Sequence, residues 1–433
     1  MILRLLLFYF NPPNNTYDDH LEPIAYYLNH HQRPAPNACW ECYQPPLYYV
    51  TAAGVYRIAF LLTHTYYTAW KAVQAINTVL SIGVLLIVCK IARSVFPGQR
   101  RIVWVLLAVA SVFPRDLYAS AMITNDYALV FLATLSIWLF LRYVRQPQLS
   151  VMVGLCLSAA ACALTKQHGL LVLLLPVSIW WRYIQRGASL KTSSNWWTVA
   201  LPILTVGVGV SDEVWKWQLT HILLVSNQHF FDYARNQPPG NLSAVDFHSL
   251  RFHTLLQYPL LQRATWASYW TVLFAGSWFD YEYRYVAPQL PGLKTVAGAL
   301  YVYGIIVFAL LVAGALHLLR LINIQYLRRH WDKAVLALLA TGYFLVPLVQ
   351  TVRLPHFSSM KSQFVLPAAC VFLLLLGYAL QKVRLLQMPA VQYGLLGIAL
   401  ITGVGHVYYV VTQLPSAFGA LSGPLWQFPH LNF

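Results

Sequence analysis

The chain has 433 residues, of which 58% are hydrophobic and 10% are charged, whereas soluble domains carry about 25% charged residues. This composition excludes a soluble protein, and repeated apolar runs long enough to cross a ~30 Å hydrocarbon core exclude a barrel of short alternating strands. The formal net charge of +16 does not indicate a nucleic-acid partner, because the positive-inside rule places basic residues at the helix ends of any such membrane protein.

The chain begins with an apolar segment, residues 1–10, that is too short to cross a membrane. A helix of this length extends about 15 Å, half of the distance that a crossing needs. We therefore expect part of the first helix to precede Met1, the alternative being a short stub.

Residues 11–66 form the first predicted outer segment, and they include the acid pair Asp18 and Asp19. Adjacent carboxylates can divide their work, one as a general base and the other as an orienting group or metal ligand. The alternative is structural, because Asp before the run LEPIAYYL is a good helix cap. Since ionisable groups beside a bilayer are expensive and usually functional, we predict that the chemistry takes place here.

The same segment contains residue types that bind metals. His20 together with Asp18 could bind a metal, although solvated or interfacial His is the commoner outcome. Cys39 and Cys42 could form a disulfide, and without further ligands they are a weak zinc signal. A divalent cation such as Mg²⁺ or Mn²⁺ is left open, and no metal-ligand set is assigned.

The rest of the chain predicts a single all-α polytopic domain over residues 1–433. The run 47–62 contains Arg57 and is predicted to be a helix near the interface. Apolar runs then alternate with short turns, and residues 212–295 form a second large outer segment. About eleven crossings are predicted, at residues 1–10, 66–93, 102–118, 127–145, 149–164, 169–184, 196–210, 296–319, 333–349, 364–380 and 391–411.

The charges predict the orientation of these crossings. Most Lys and Arg residues that flank the runs fall on one side, which must be cytoplasmic. Twelve of the thirteen acids fall on the opposite side, and only Asp332 falls inside. Because the acids did not set the orientation, they support it independently. The protein is therefore predicted to lie in the plasma (inner) membrane, in contact with its lipids, with an extracytoplasmic site.

Asn125 and Asp126 close a tight outer turn between two predicted crossings. Asn-Asp turns are ordinary, but this one puts a carboxylate on the same face as Asp18. We predict that Asn125, Asp126 and His20 lie beside the acid pair, where they shape its field or hold a cation.

Several basic residues lie on short outer turns, where the orientation rule disfavours them. Cations kept at the outer lipid boundary suit an anion, and a phosphate carried on a lipid is the obvious one. The alternative, that they snorkel to lipid headgroups, is left open. The predicted phosphate-binding residues are Lys166, His168, Arg353, His356 and Lys361.

Taken in order, these features resemble the GT-C superfamily of membrane glycosyltransferases. The resemblance is to the polyprenyl-phosphate-sugar-dependent group that is like protein mannosyltransferases and aminoarabinose transferases, and it covers most of the chain. It depends on the order of the motifs, which are the acid pair, QPPLYY at 44–49, MITNDYALVFLATLSIWLFLR at 122–142, LTKQHGLL at 164–171 and KSQFVLP at 361–367. Many members have Asp-Glu where this chain has Asp18-Asp19, and Arg-Tyr where it has Gln363-Phe364.

The resemblance implies an inverting transfer of a sugar from a polyprenyl-phosphate donor, undecaprenyl or dolichyl, to an acceptor hydroxyl. It implies that Asp18 is the base or the key polar group, with Asp19 next to it. The acceptor, a lipid, glycan or protein, is left open. The alternatives are a lipid or glycolipid transporter and a non-catalytic relative. Transporters usually place charges near the bilayer centre, whereas the ionisable residues here cluster at outer helix ends.

Overall fold

A computed structural model gives the structure of the protein and describes residues 1–13, 20–185, 196–236, 243–260, 267–279, 291–321, 325 and 329–421. Within these ranges the regular elements are helices, as the composition predicts, because only a helix satisfies its own backbone polar groups where water is absent. The α-helices are α1 (Ile2–Phe10), α2 (Leu21–His30), α3 (Leu47–Thr63), α4 (Tyr66–Val95), α5 (Arg100–Val112), α6 (Pro114–Ser120), α7 (Asn125–Arg145), α8 (Leu149–Thr165), α9 (Leu174–Gln185), α10 (Trp197–Thr220), α11 (Asp232–Arg235), α12 (Ala244–His248), α13 (Phe252–Gln257), α14 (Tyr269–Trp278), α15 (Leu293–Leu321), α16 (Trp331–Arg353), α17 (Ala369–Lys382) and α18 (Pro389–Leu421).

Short 3-10 helices connect several of these elements. They are Gln167–Leu173, Asn227–His229, Phe357–Met360, Ser362–Phe364, Leu366–Ala368 and Arg384–Gln387. Two predicted crossings therefore begin as 3-10 turns rather than as α-helix, namely 169–184 and 364–380.

The described part of the chain contains six helices that are long and apolar enough to cross a membrane, or seven when α5 and α6 count as one bent span. These six are α4, α7, α10, α15, α16 and α18. Three shorter apolar helices, Leu47–Thr63, Leu149–Thr165 and Leu366–Lys382, accompany them. The all-α polytopic fold is confirmed, and the count of eleven crossings stays a prediction.

The predicted crossing 102–118 is broken in the middle. α5 and α6 meet at an angle of 56°. Phe113 has φ −60° and ψ 114°, because the ring of Pro114 disfavours the helical conformation in the residue before it. All seven residues of α6 are buried. Asp116, which the charges placed on the outer side, therefore lies inside the bundle.

The helices pack closely around three apolar cores. α7 packs against α8 and α4, α8 packs against α10, and α15 packs against α17. At the last of these contacts, a Cβ on Gly314 would lie 2.2 Å from the backbone oxygen of Leu375, so only glycine permits this approach. The helices of the first outer segment, α2 and α3, join α4 through Tyr49, Tyr56 and Trp70, which holds that segment against the bundle.

Candidate functional site

The acid pair Asp18 and Asp19 lies outside the described residues, so its role stays a prediction. The next residue in the chain, His20, is described and is only 1% exposed. Its Nδ1 lies 2.8 Å from the hydroxyl of Tyr49, and its Nε2 lies 4.0 Å from Oδ2 of Asp126. His20 therefore fixes the chain that follows the acid pair against the start of α7.

Asp126 lies in the first turn of α7, where Thr124 caps the helix. The Thr124 hydroxyl accepts a hydrogen bond from the backbone N–H of Asp126 at 3.2 Å and donates one to Oδ2 at 2.9 Å. The other carboxylate oxygen, Oδ1, lies 2.6 Å from Nζ of Lys166. Both residues of this ion pair are buried, Asp126 at 4% exposure and Lys166 at 3%.

Asn125 joins the same two helix ends. Its amide donates a hydrogen bond to the carbonyl of Thr165 at 3.1 Å, and its Oδ1 accepts one from Lys166 at 3.4 Å. The turn before α7 is thereby tied to the end of α8. We call the buried group that results the Asp126 cluster, and its members are His20, Tyr49, Asn125, Asp126 and Lys166.

The structure pairs two residues for which the sequence predicts separate roles. Lys166 was predicted to bind the donor phosphate, and Asp126 to lie beside the acid pair. Because both are buried, the attraction between them is screened less than in water, and each charge compensates the other. The ammonium of Lys166 is therefore held by a carboxylate of the protein, and phosphate binding by Lys166 stays a prediction.

The segment that follows α16 packs against this cluster. The ring of Phe364 stacks on that of His168, with centroids 5.0 Å apart, and Nζ of Lys166 lies 5.4 Å from the Phe364 ring centre. His356 and Lys361 are buried, whereas Arg353 at the end of α16 is exposed. The outer turn closed by Asn125 and Asp126, the turn at 166–168 and the segment 353–364 therefore meet at one end of the bundle.

The pKa of His168 is lowered to about 4, chiefly by burial and also by the neighbouring charge of Lys166, while Asp126 opposes this effect. The ordinary value is about 6.5. A depressed pKa means that the unfolded chain binds more protons between these two values, so stability is lost as the pH falls from 6.5 towards 4.

We expect the thermal unfolding temperature of the wild type to fall between pH 7 and pH 4.5, and His168→Phe to reduce that fall. Phenylalanine keeps the ring that stacks on Phe364 and removes the group that titrates. The matched control is His253→Phe at an exposed position, which should keep the wild-type pH dependence. An identical pH dependence in His168→Phe would contradict the assignment of this effect to His168.

Two residues that the sequence analysis did not select, Arg115 and Gln363, meet beside this end of the bundle. The guanidinium of Arg115 donates a hydrogen bond to Oε1 of Gln363 across a sequence separation of 248 residues. Both residues are buried, at 4% and 7% exposure. The available signals were an Arg-Asp pair that interrupts an apolar run and the position of Gln363 inside the KSQFVLP motif.

Asp116, which the charges placed on the outer face, is buried in a hydrogen-bonded group. Arg4 of α1 forms an ion pair with Oδ2, and the hydroxyl of Tyr127 donates to Oδ1 at 2.7 Å. Arg4 also donates to the carbonyl of Ser111 at 3.0 Å. This group fastens α1 to α6 and α7, which gives Asp116 a structural role.

An apolar cavity of about 490 Å³ lies between the helices, next to Asp116 and Ser362. Its lining is mostly aliphatic and aromatic, and it includes Asp116 and Ser362. Val130 and Thr134 also line it, and they lie four and eight residues after Asp126, on the same face of α7. The cavity therefore begins about one helical turn from the Asp126 cluster.

The described ranges contain no group of three or more His, Cys, Asp or Glu side chains that could hold a metal ion. Cys39 and Cys42 form a disulfide, so the zinc alternative for these thiols is wrong. Both oxygens of Asp126 already have partners, Lys166 and Thr124.

The two large outer segments contact each other. Arg33 of the first segment forms an ion pair with Asp212 in the second half of α10, and its guanidinium lies 3.4 Å from the ring centre of Trp215. Lys216 lies 2.9 Å from Oδ2 of the same Asp212. These contacts hold Arg33 of the first segment against α10.

No protein-family model matches the chain, and no curated protein is significantly similar to it. Among solved structures, the chain is similar to ArnT from Cupriavidus metallidurans bound to undecaprenyl phosphate, with 14% identity, coverage of 97% of this chain and 77% of that chain, and a TM-score of 0.40. It is also similar to ArnT in the apo state, with 15% identity, coverage of 87% and 75%, and a TM-score of 0.37.

A third similar structure is the oligosaccharyltransferase of Archaeoglobus fulgidus in complex with Zn and sulfate, with 12% identity and a TM-score of 0.40. The alignment covers 96% of this chain and 52% of that one.

Proposed function

We propose that the protein is a membrane glycosyltransferase that moves a sugar from a polyprenyl-phosphate donor to an acceptor hydroxyl on the extracytoplasmic face. The observation that carries this proposal is the apolar cavity that begins one turn from the Asp126 cluster. A lipid-linked sugar needs such an arrangement, with an apolar space for the chain and polar groups where the chain ends.

The cavity suits the hydrocarbon chain of the donor. Ligand sites are typically cavities of about 300–1,000 Å³ with apolar linings and a few polar groups that fix orientation. Here Phe274, Phe308 and Phe344 are among the apolar lining residues, and Asp116 and Ser362 are among the polar ones. The phosphate and the sugar would therefore lie at the end of the bundle that carries the buried polar residues.

The acid pair would act on the acceptor. In the proposed step, Asp18 takes the proton of the acceptor hydroxyl, and the oxygen attacks the anomeric carbon of the sugar. The bond between that carbon and the phosphate oxygen breaks, and its electron pair leaves with the polyprenyl phosphate. His20, the residue that follows Asp19 in the sequence, contacts Asp126 and Tyr49, which supports a place for this step beside the Asp126 cluster.

The leaving group is an anion, so catalysis also needs positive charge at the developing phosphate. His356 and Lys361 are buried near this end, and Arg353 is exposed at its edge. A preorganised cation in a buried site stabilises a developing charge far more than one in water does. The proposed donor phosphate therefore lies between the 353–364 segment and the Asp126 cluster.

The rival function is transport of a lipid or glycolipid without chemistry. We expect proteoliposomes with the full chain, a polyprenyl-phosphate donor labelled in its sugar, and a membrane extract as the source of acceptors to release free polyprenyl phosphate and to form a labelled product. Liposomes without protein serve as the control. Movement of intact donor between leaflets with no cleavage would support the transporter and contradict the transferase.

A further inference from the structure

We propose that Arg115 and Ser362 bind the phosphate of a hydrocarbon-linked phosphate monoester whose chain occupies the apolar cavity. The identity of this ligand as the glycosyl donor rests on the proposed function, whereas the anion site itself rests on the contacts described below.

Arg115 is a buried cation with an unusual set of partners. Among the described residues, its guanidinium makes one hydrogen bond, to the neutral amide oxygen of Gln363, and takes part in no ion pair. Its neighbour Asp116 is occupied by Arg4 and Tyr127. A guanidinium has five N–H donors in a planar fork, so most of its donor capacity is unused.

Three other buried cations in the described part of the chain differ from Arg115 in this respect. Arg4 pairs with Asp116, Lys166 with Asp126, and Lys216 with Asp212. A buried charge without a compensating partner is strongly unfavourable. We therefore infer that an anionic group of a bound ligand compensates the charge of Arg115.

Ser362 supplies an independent observation. Its side chain is 4% exposed and lines the cavity. Its Oγ is buried and has no hydrogen-bond partner among the described residues, although buried hydroxyl groups normally have one. Ser362 immediately precedes Gln363, the residue that contacts Arg115. The unpartnered hydroxyl therefore belongs to the residue next to the one that binds the Arg115 guanidinium, and it lines the cavity.

The chemistry of these groups selects phosphate. The guanidinium fork matches two phosphate oxygens in a bidentate arrangement, and such charge-assisted hydrogen bonds are about twice as strong as neutral ones. Phe113 and Asp116, which flank Arg115 in the chain, line the cavity. A phosphate bound by Arg115 would therefore lie close to the cavity that holds the hydrocarbon chain of the same ligand. Lys166 is less suited to this task, because Asp126 already compensates its charge.

The test measures binding to the purified full chain in detergent by microscale thermophoresis. The probes are undecaprenyl phosphate, a diacyl phosphatidate and inorganic phosphate. We expect undecaprenyl phosphate to bind the wild type, and Arg115→Gln to weaken this binding by about tenfold to a hundredfold. Arg115→Lys keeps the charge without the fork and should fall between the two, and Ser362→Ala should weaken binding by a few-fold. Arg235→Gln, at an exposed position, removes the same charge and serves as the matched control.

Equal binding of undecaprenyl phosphate by wild type, Arg115→Gln and Ser362→Ala would overturn the site and would leave the transferase proposal standing. Binding that depends on Arg115 in a protein that transfers no sugar would support the site and contradict the transferase. Tighter binding of the phosphatidate would assign the site to a bilayer lipid, and binding of inorganic phosphate alone would overturn the role of the cavity. If Arg115→Gln does not fold, Arg115→Lys and Ser362→Ala decide the matter.

Discussion

Asp18→Asn should lower the turnover of sugar transfer by about 100-fold or more, because asparagine keeps the shape of the side chain and removes its basicity. Donor affinity should change little, since the carboxylate acts on the acceptor hydroxyl. Steady-state transfer rates, together with donor binding measured separately, check both parts of this expectation.

Two further variants are needed to interpret the turnover of Asp18→Asn. Asp232→Asn is the matched control, because its side chain is 91% exposed and should leave turnover unchanged. Asp19→Asn shows which of the two acids is the base. If Asp19→Asn loses turnover while Asp18→Asn keeps normal turnover, Asp19 is the base and Asp18 its neighbour. Normal turnover in both variants would mean that the pair only caps the following helix.

Breaking the ion pair between Asp126 and Lys166 should have the largest effect on stability. Lys166→Met leaves the Asp126 carboxylate buried without its cation, and losses of about 3–5 kcal/mol are typical of such changes. The double variant with Asp126→Asn removes both charges and should be more stable than the sum of the two single losses predicts. Unfolding in detergent, followed for all four proteins, measures this coupling.

An exposed ion pair provides the comparison. Arg235 and Asp232 lie 3.7 Å apart at the surface, and Arg235→Met should change stability little because exposed pairs contribute little. Strictly additive losses at Asp126 and Lys166 would contradict the compensation inferred from their 2.6 Å contact.

The sequence predicted the six long apolar helices of the described residues because their signal is local. A run of apolar residues such as 66–95 can be recognised without knowing what it packs against. The break between α5 and α6 was missed, although Pro114 was visible, because hydropathy does not change where the helix turns by 56°. After that bend, Arg115 and Asp116 lie in the interior. The distribution of charges had instead predicted that Asp116 lies on the outer side.

The site was predictable where its residues lie at neighbouring helix ends. Asn125, Asp126 and Lys166 were all selected, since α7 and α8 are joined by a short turn and their far ends must be close. Their direct ion pair was not predicted, because it depends on side-chain directions. The contact between Arg115 and Gln363 spans 248 residues, and it depends on how the last helices pack against α6, which no local pattern contains.

A structure of the protein with a polyprenyl-phosphate sugar bound tests the proposed site most directly. We predict the hydrocarbon chain in the cavity lined by Val130 and Ser362, the phosphate within hydrogen-bond distance of the Arg115 guanidinium, and the anomeric carbon facing the acid pair beside the Asp126 cluster. A headgroup bound at the opposite end of the bundle, near the ends of α4 and α17 that carry Arg93 and Lys382, would contradict the proposed site of transfer.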